Sequence, residues 1–97
     1  MAGDFQALDP LLSVPVRLTI VSALITLKQA DFAYLLDITQ TGQSNLSQQI
    51  RKLEEAGYIS IKKGYKDNYP HTTCSITAKG RKAFKNYVTA IKKYLHL

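Results

Sequence analysis

Thr41-Gly42-Gln43-Ser44-Asn45-Leu46-Ser47-Gln48-Gln49-Ile50-Arg51-Lys52-Leu53-Glu54-Glu55-Ala56-Gly57 is the stretch on which the fold turns. At about 100° per residue, Leu46, Ile50 and Leu53 fall in one narrow apolar stripe with Ala56 on its flank, so an amphipathic helix is expected here. Opposite the stripe stand Ser44, Gln48, Arg51 and Lys52, with Asn45 and Ser47 on the shoulders; Glu54 and Glu55 are held back to the last turn. An ordinary solvated helix mixes Glu and Lys in i,i+4 pairs along its length. This one presents amides and hydroxyls first and cations second. Amide side chains bond bidentately to adenine, Arg to guanine and Ser to either, which is the chemistry of a base reader in a major groove. The bland alternative is a merely polar helix.

The composition around it sets the limits. Ninety-seven residues with 45% hydrophobic content suit one domain with a single core. Residues 1–50 hold two cations, Arg17 and Lys28, against four acids, whereas residues 51–97 hold eleven cations against three acids. The net charge of +6 therefore comes from the second half and points to a polyanionic partner, because neutralising phosphates releases condensed counterions. The lone Cys74 excludes an internal disulfide and a thiolate-rich zinc site. Leu11–Leu27 is largely apolar, yet it contains Pro15 and Arg17, follows Asp4 and Asp9, and is barely long enough to span a bilayer. It reads as a core helix of a cytoplasmic protein with no membrane segment.

Working outward, residues 1–8 show no period and are expected to be a flexible N-terminus, with Phe5 and Leu8 available to pack on a partner subunit. Asp9-Pro10 is a cap and first-turn proline, and Ser13 with Pro15 repeats that signal. From there Val16, Ile20, Leu24 and Leu27 recur at helical spacing, widened by Leu18, Val21, Ala23 and Ile25 into a nearly all-round apolar pillar. Lys28-Gln29-Ala30 breaks the run, and Asp31 caps a short helix from Phe32 to about Thr39. Gln40-Thr41-Gly42 is the turn, with either Thr41 or Gly42 as the cap of the next helix. Two helices joined by such a turn, the second polar on its outer face, make a helix-turn-helix.

Gly57 closes the reading helix in a left-handed conformation. Tyr58–Lys62 then alternates as a half-buried strand, Gly64–Pro70 carries the turn formers of a hairpin tip, and His71–Ile76 returns with Thr72, Cys74 and Ile76 on one face. These strands are a wing. Thr77 caps a last helix from Ala78 to about His96, whose stripe Ala83, Phe84, Tyr87, Val88, Ile91, Tyr94 and Leu95 is too long for one small core. Its excess is expected to join a second copy about a two-fold axis.

In this order the parts resemble a winged helix, and specifically the small transcriptional regulators related to the MarR and ArsR families. The resemblance rests on Pro15-Val16-Arg17-Leu18-Thr19-Ile20, on Asn45-Leu46-Ser47 leading to Arg51-Lys52-Leu53-Glu54-Glu55-Ala56-Gly57-Tyr58-Ile59, and on Ile76-Thr77-Ala78-Lys79-Gly80-Arg81. It implies a mainly α fold with a two-stranded β-wing: a DNA-binding domain over residues 9–76 and a C-terminal dimerisation helix over 77–97. It also implies a homodimer on a near-palindromic double-stranded operator, with Gln43, Ser44, Asn45, Ser47, Gln48 and Arg51 facing bases or phosphates. Where such wings often carry paired arginines, this chain has Asp67-Asn68-Tyr69 with His71 beyond, so Lys62, Lys63 and Lys66 become the expected phosphate contacts. Lys52, Tyr65 and His71 complete that set. Thr41 stands where an apolar residue is usual.

Cys74 faces inward by strand parity and has no adjacent cation to favour a thiolate, so a core role is expected, with a redox switch as the alternative. His71 and His96 have no acid or Cys at ligand spacing, so no metal or cofactor is expected. Tyr65 and Tyr69 either stack on sugars or bases or brace the hairpin. Phe84, Tyr87, Val88, Ile91, Tyr94 and Leu95 are the expected dimer interface; no effector is specified. No nucleophile, phosphate-binding glycine loop or carboxylate cluster points to an enzyme. The leading reading is a sequence-specific DNA-binding regulator; the alternative is a winged helix used for protein–protein assembly.

Overall fold

Pro15 opens the first helix because its missing N–H would have no intrahelical partner there. The computed structural model describes residues 8–97, so the reading of Phe5 and the rest of residues 1–7 lies outside it. Helix α1 spans Pro15–Leu27; its N-cap is Val14, which makes no side-chain cap bond. Ser13 is therefore not the cap that its position suggested, and its hydroxyl instead donates to the Asp9 carbonyl at 2.9 Å. Asp9 does act locally as expected, accepting from the Leu11 amide at 2.9 Å. Ile20, Val21 and Leu24 are fully buried, and Val16, Leu18 and Ile25 pack against the same core.

Lys28, at φ 72, ends α1 and turns the chain into strand β1, Gln29–Asp31. The segment read as a simple break is thus a third strand, antiparallel to the return strand of the wing, with Ala30 opposite Cys74. Helix α2, Phe32–Thr39, is capped by Asp31, whose carboxylate accepts from the Tyr34 amide at 2.8 Å. It ends on Gln40 in the left-handed conformation. Of the two candidate caps for the next helix, Gly42 takes the position, and α3 runs Gln43–Glu55. Gly57 then sits at φ +81, as its place after the helix requires.

Strand β2, Ile59–Lys66, pairs with β3, Tyr69–Ile76, to give a sheet in the order β1-β3-β2. The wing is longer than its turn formers suggested. Its tip is only Asp67-Asn68, at φ 53 and 66, the paired positive values of a tight hairpin turn that Asp and Asn tolerate. Pro70 fits inside β3 because the closing pair Lys66–Tyr69 exchanges both hydrogen bonds, so the next residue turns its missing N–H away from β2. On that side β1 meets only Thr73–Ser75.

Helix α4 spans Ala78–Tyr94 and is capped by Thr77, which accepts from the Gly80 amide at 3.0 Å. The same hydroxyl donates to the carbonyls of Gly57 (2.6 Å) and Tyr58 (2.9 Å). This clip joins the end of the reading helix to the start of α4. Tyr58 completes the joint, donating its phenol to Asp9; burial and that bond push it up to about 12. Leu12, Leu35, Leu46, Leu53, Ile59 and Cys74 fill the centre with α1. Among the described residues no helix is long and apolar enough to cross a membrane.

Cys74 is completely buried, and desolvation, then the charge of Glu54, pushes its thiol from 9.0 up to about 11. The native state therefore holds the proton that the unfolded chain releases first, so this stabilisation is full below pH ~9 and is lost as pH rises towards ~11. We expect stability to fall over that window, by on the order of 2 kcal/mol from this group, and iodoacetamide to label Cys74 readily only after unfolding. Urea midpoints against pH and labelling followed by mass spectrometry check both. Rapid native labelling would contradict the burial.

Candidate nucleic-acid interface

Three buried side chains, Leu46, Ile50 and Leu53, fasten α3 to the core and thereby decide which of its faces is outward. Gln43, Ser44, Asn45, Ser47, Gln48, Arg51 and Lys52 are all exposed. Gln43, Ser44, Ser47, Gln48 and Arg51 make no side-chain hydrogen bond to other described residues, which leaves their donors and acceptors for a ligand. Asn45 differs from its neighbours. Its Nδ2 donates to Thr41 Oγ1 at 2.8 Å, and its Oδ1 accepts from Gln49 Nε2 at 2.9 Å.

The wing divides its cations between two faces. Strand alternation places Lys63 with Ile59 and Ile61, the side turned to α3, where Lys63, Arg51, Ser47 and Thr72 line a shared groove. Lys62 and Lys66 lie on the opposite side. His71 is there too: it stands opposite Gly64, with its Nε2 3.2 Å from Asp31 Oδ2. The bond to the Tyr34 amide, and then that to His71, hold the Asp31 carboxyl below the usual carboxylate range. The His71 ring thus braces the wing against the cap of α2. Tyr65 and Tyr69, 80% and 74% exposed, stand beside the tip. Lys63 and Arg51 thus stand on one side of the wing, and Lys62 and Lys66 on the other.

The proposed interface residues of α4 separate along its length. Tyr87 belongs to the core of this chain, with its Oη 3.5 Å from Ser13 Oγ, and Phe84 packs against that core. Val88 and Ile91 are half-buried, while Tyr94 and Leu95 are 47% and 54% exposed. Reading the sequence missed Gln49 and Arg17. Arg17 Nε donates to Gln49 Oε1 at 2.7 Å, joining α1 to α3 across 32 positions. Thr41, Asn45 and Gln49 at i,i+4 spacing were a visible signal, since amides so placed bond along a helix; nothing local announced Arg17. Among the described residues no group of three or more His, Cys, Asp or Glu is placed to hold a metal.

A helix presented by its own apolar side, preceded by a short helix and flanked by a basic hairpin, defines a winged helix-turn-helix. The family model for the winged helix DNA-binding domain matches residues 16–95, and the chain belongs to that family, whose members bind DNA and are not enzymes. It is 38% identical over 76 residues to the uncharacterized protein MJ0432 of Methanocaldococcus jannaschii, covering 78% of this chain and 83% of that one. Among solved structures it is similar to a transcriptional regulator homologue from Pyrococcus horikoshii, with a TM-score of 0.82 at 29% identity over 89% of this chain and 85% of that chain. The transcriptional regulator BldR from Sulfolobus solfataricus shares the fold, with a TM-score of 0.73 at 18% identity over 98% of this chain and 70% of that one.

Proposed function

We propose that this chain is one subunit of a homodimeric, cytoplasmic regulator of transcription that binds a near-palindromic duplex site sequence-specifically. The observation that carries the reading is the outward face of α3, where Gln43, Ser44, Ser47, Gln48 and Arg51 stand exposed with no side-chain hydrogen-bond partner among the described residues. Unpaired amides and hydroxyls on a rigid helix suit base edges, for which they are the standard donors and acceptors. Arg51 and Lys63, on the two walls of one groove, suit the phosphates beside that major groove. Val88, Ile91, Tyr94 and Leu95 extend the apolar stripe of α4 beyond the core, which supports pairing with a second copy. Two reading helices would then enter grooves about one helical turn apart.

Selection of bound duplexes from a random pool tests this, and an enriched inverted repeat is expected. Gln48→Ala should relax base preference at one position per half-site by about 1–3 kcal/mol. Lys63→Ala should weaken all duplexes alike and reduce the slope of log affinity against log salt by about 1 per subunit. If random and selected duplexes bind equally well at every salt concentration, the chain is not a sequence-specific reader, and assembly with a protein partner becomes the better account.

A further inference from the structure

Four hydrogen bonds in series run from the turn before α1 to the outward surface of α3. The Leu11 carbonyl accepts from Arg17 Nη1 at 3.3 Å, and Arg17 Nε donates to Gln49 Oε1 at 2.7 Å. Gln49 Nε2 donates to Asn45 Oδ1 at 2.9 Å, and Asn45 Nδ2 donates to Thr41 Oγ1 at 2.8 Å. The direction of the series is fixed by its first member, because a guanidinium only donates. Gln49 must therefore turn its carbonyl to Arg17 and its NH₂ to Asn45. Asn45 in turn must point its carbonyl towards the C-terminal end of α3 and its NH₂ towards the N-terminal end.

A carboxamide has two N–H donors and two acceptor lone pairs, and this series takes one of each. One donor and one lone pair of exposed Asn45 remain, in the plane of the amide. Adenine offers the matching pair in the major groove, an N7 acceptor beside an N6–H donor. A free asparagine would have to select this orientation on binding; here the protein sets it beforehand, which lowers the ordering penalty. We infer that Asn45 is a pre-oriented reader of adenine, and that Gln49 and Arg17 are positioning residues that fix the order of its donor and acceptor. The inference rests on the reading of α3 as the base-contacting helix.

The informative substitution is Gln49→Glu. It keeps an acceptor for Arg17 and nearly the same shape, but it removes the donor to Asn45, whose amide then turns over to give its NH₂ to the new carboxylate. Thr41→Val, which deletes the opposite tether, is the second variant, and thermal unfolding verifies that each is folded. Random-pool selection with the natural chain, Asn45→Ala, Gln49→Glu and Thr41→Val is expected to show one adenine per half-site that all three variants lose, by on the order of tenfold, with other positions unchanged. If Asn45→Ala leaves every preference intact, or folded Gln49→Glu and Thr41→Val both keep the adenine, the inference is overturned while the reading of α3 stands. If the natural chain enriches no motif, both fall together.

Discussion

Gly80→Ala is expected to destabilise the protein by roughly 3–5 kcal/mol, a large fraction of a small domain's stability. A Cβ at this position would lie 2.0 Å from the Tyr58 carbonyl oxygen, 2.8 Å from its carbon and 3.0 Å from Ile76 Cδ1. The first two are backbone atoms already held by Thr77, whose amide and hydroxyl both bond the same oxygen, so they cannot swing aside as a side-chain tip would. Relief has to come from lifting the first turn of α4 away from the end of α3. Gly64→Ala is the control: nothing lies within 4 Å of its Cβ, and its stability should be nearly unchanged. Urea midpoints of the two variants make the comparison. A Gly80→Ala protein that unfolds with the natural one would show that the Thr77 clip does not hold α4 as closely as described.

The second large effect concerns association. Ile91→Glu combined with Leu95→Glu places two charges on the last turn of α4 and its C-cap, outside the core cluster, so the winged helix itself should stay folded. If α4 joins two copies, the variant should sediment as a monomer where the natural chain sediments as a dimer. Its affinity for a two-half-site duplex should drop about 10²–10⁴-fold, because the second half-site is no longer tethered. A natural chain that is monomeric at the concentrations where it binds DNA, or a double variant that still pairs, would remove the dimer from the account.

What could be read along the chain was whatever is decided locally. The period of Leu46, Ile50 and Leu53, the Asp31 and Thr77 caps and the Gly57 stop each depend on neighbours within a turn or so, and α2, α3 and α4 appear where those signals place them. Strand β1 had no such signal. Three residues are too few to show alternation, and Gln29–Asp31 is a strand only because β3 supplies its partner from 42 to 46 positions away. The wing tip was ambiguous for the opposite reason: Gly64, Asp67, Asn68 and Pro70 are all turn formers, and the pairing of the strands selects the two that accept positive φ. The candidate site divides in the same way. The outward face of α3 follows from helical period, whereas the His71–Asp31 and Arg17–Gln49 contacts bridge 40 and 32 positions and belong to the packed structure.

The central claim is that the exposed side of α3 and the wing meet duplex DNA. Amide chemical-shift mapping during titration with a duplex at low salt tests it most directly in a chain of this size. The account predicts that the large shifts fall on Gln43–Lys52 and on the wing around Lys62–Lys66, fading as salt is raised. Shifts confined to α1 and α4, with α3 unmoved, would contradict it.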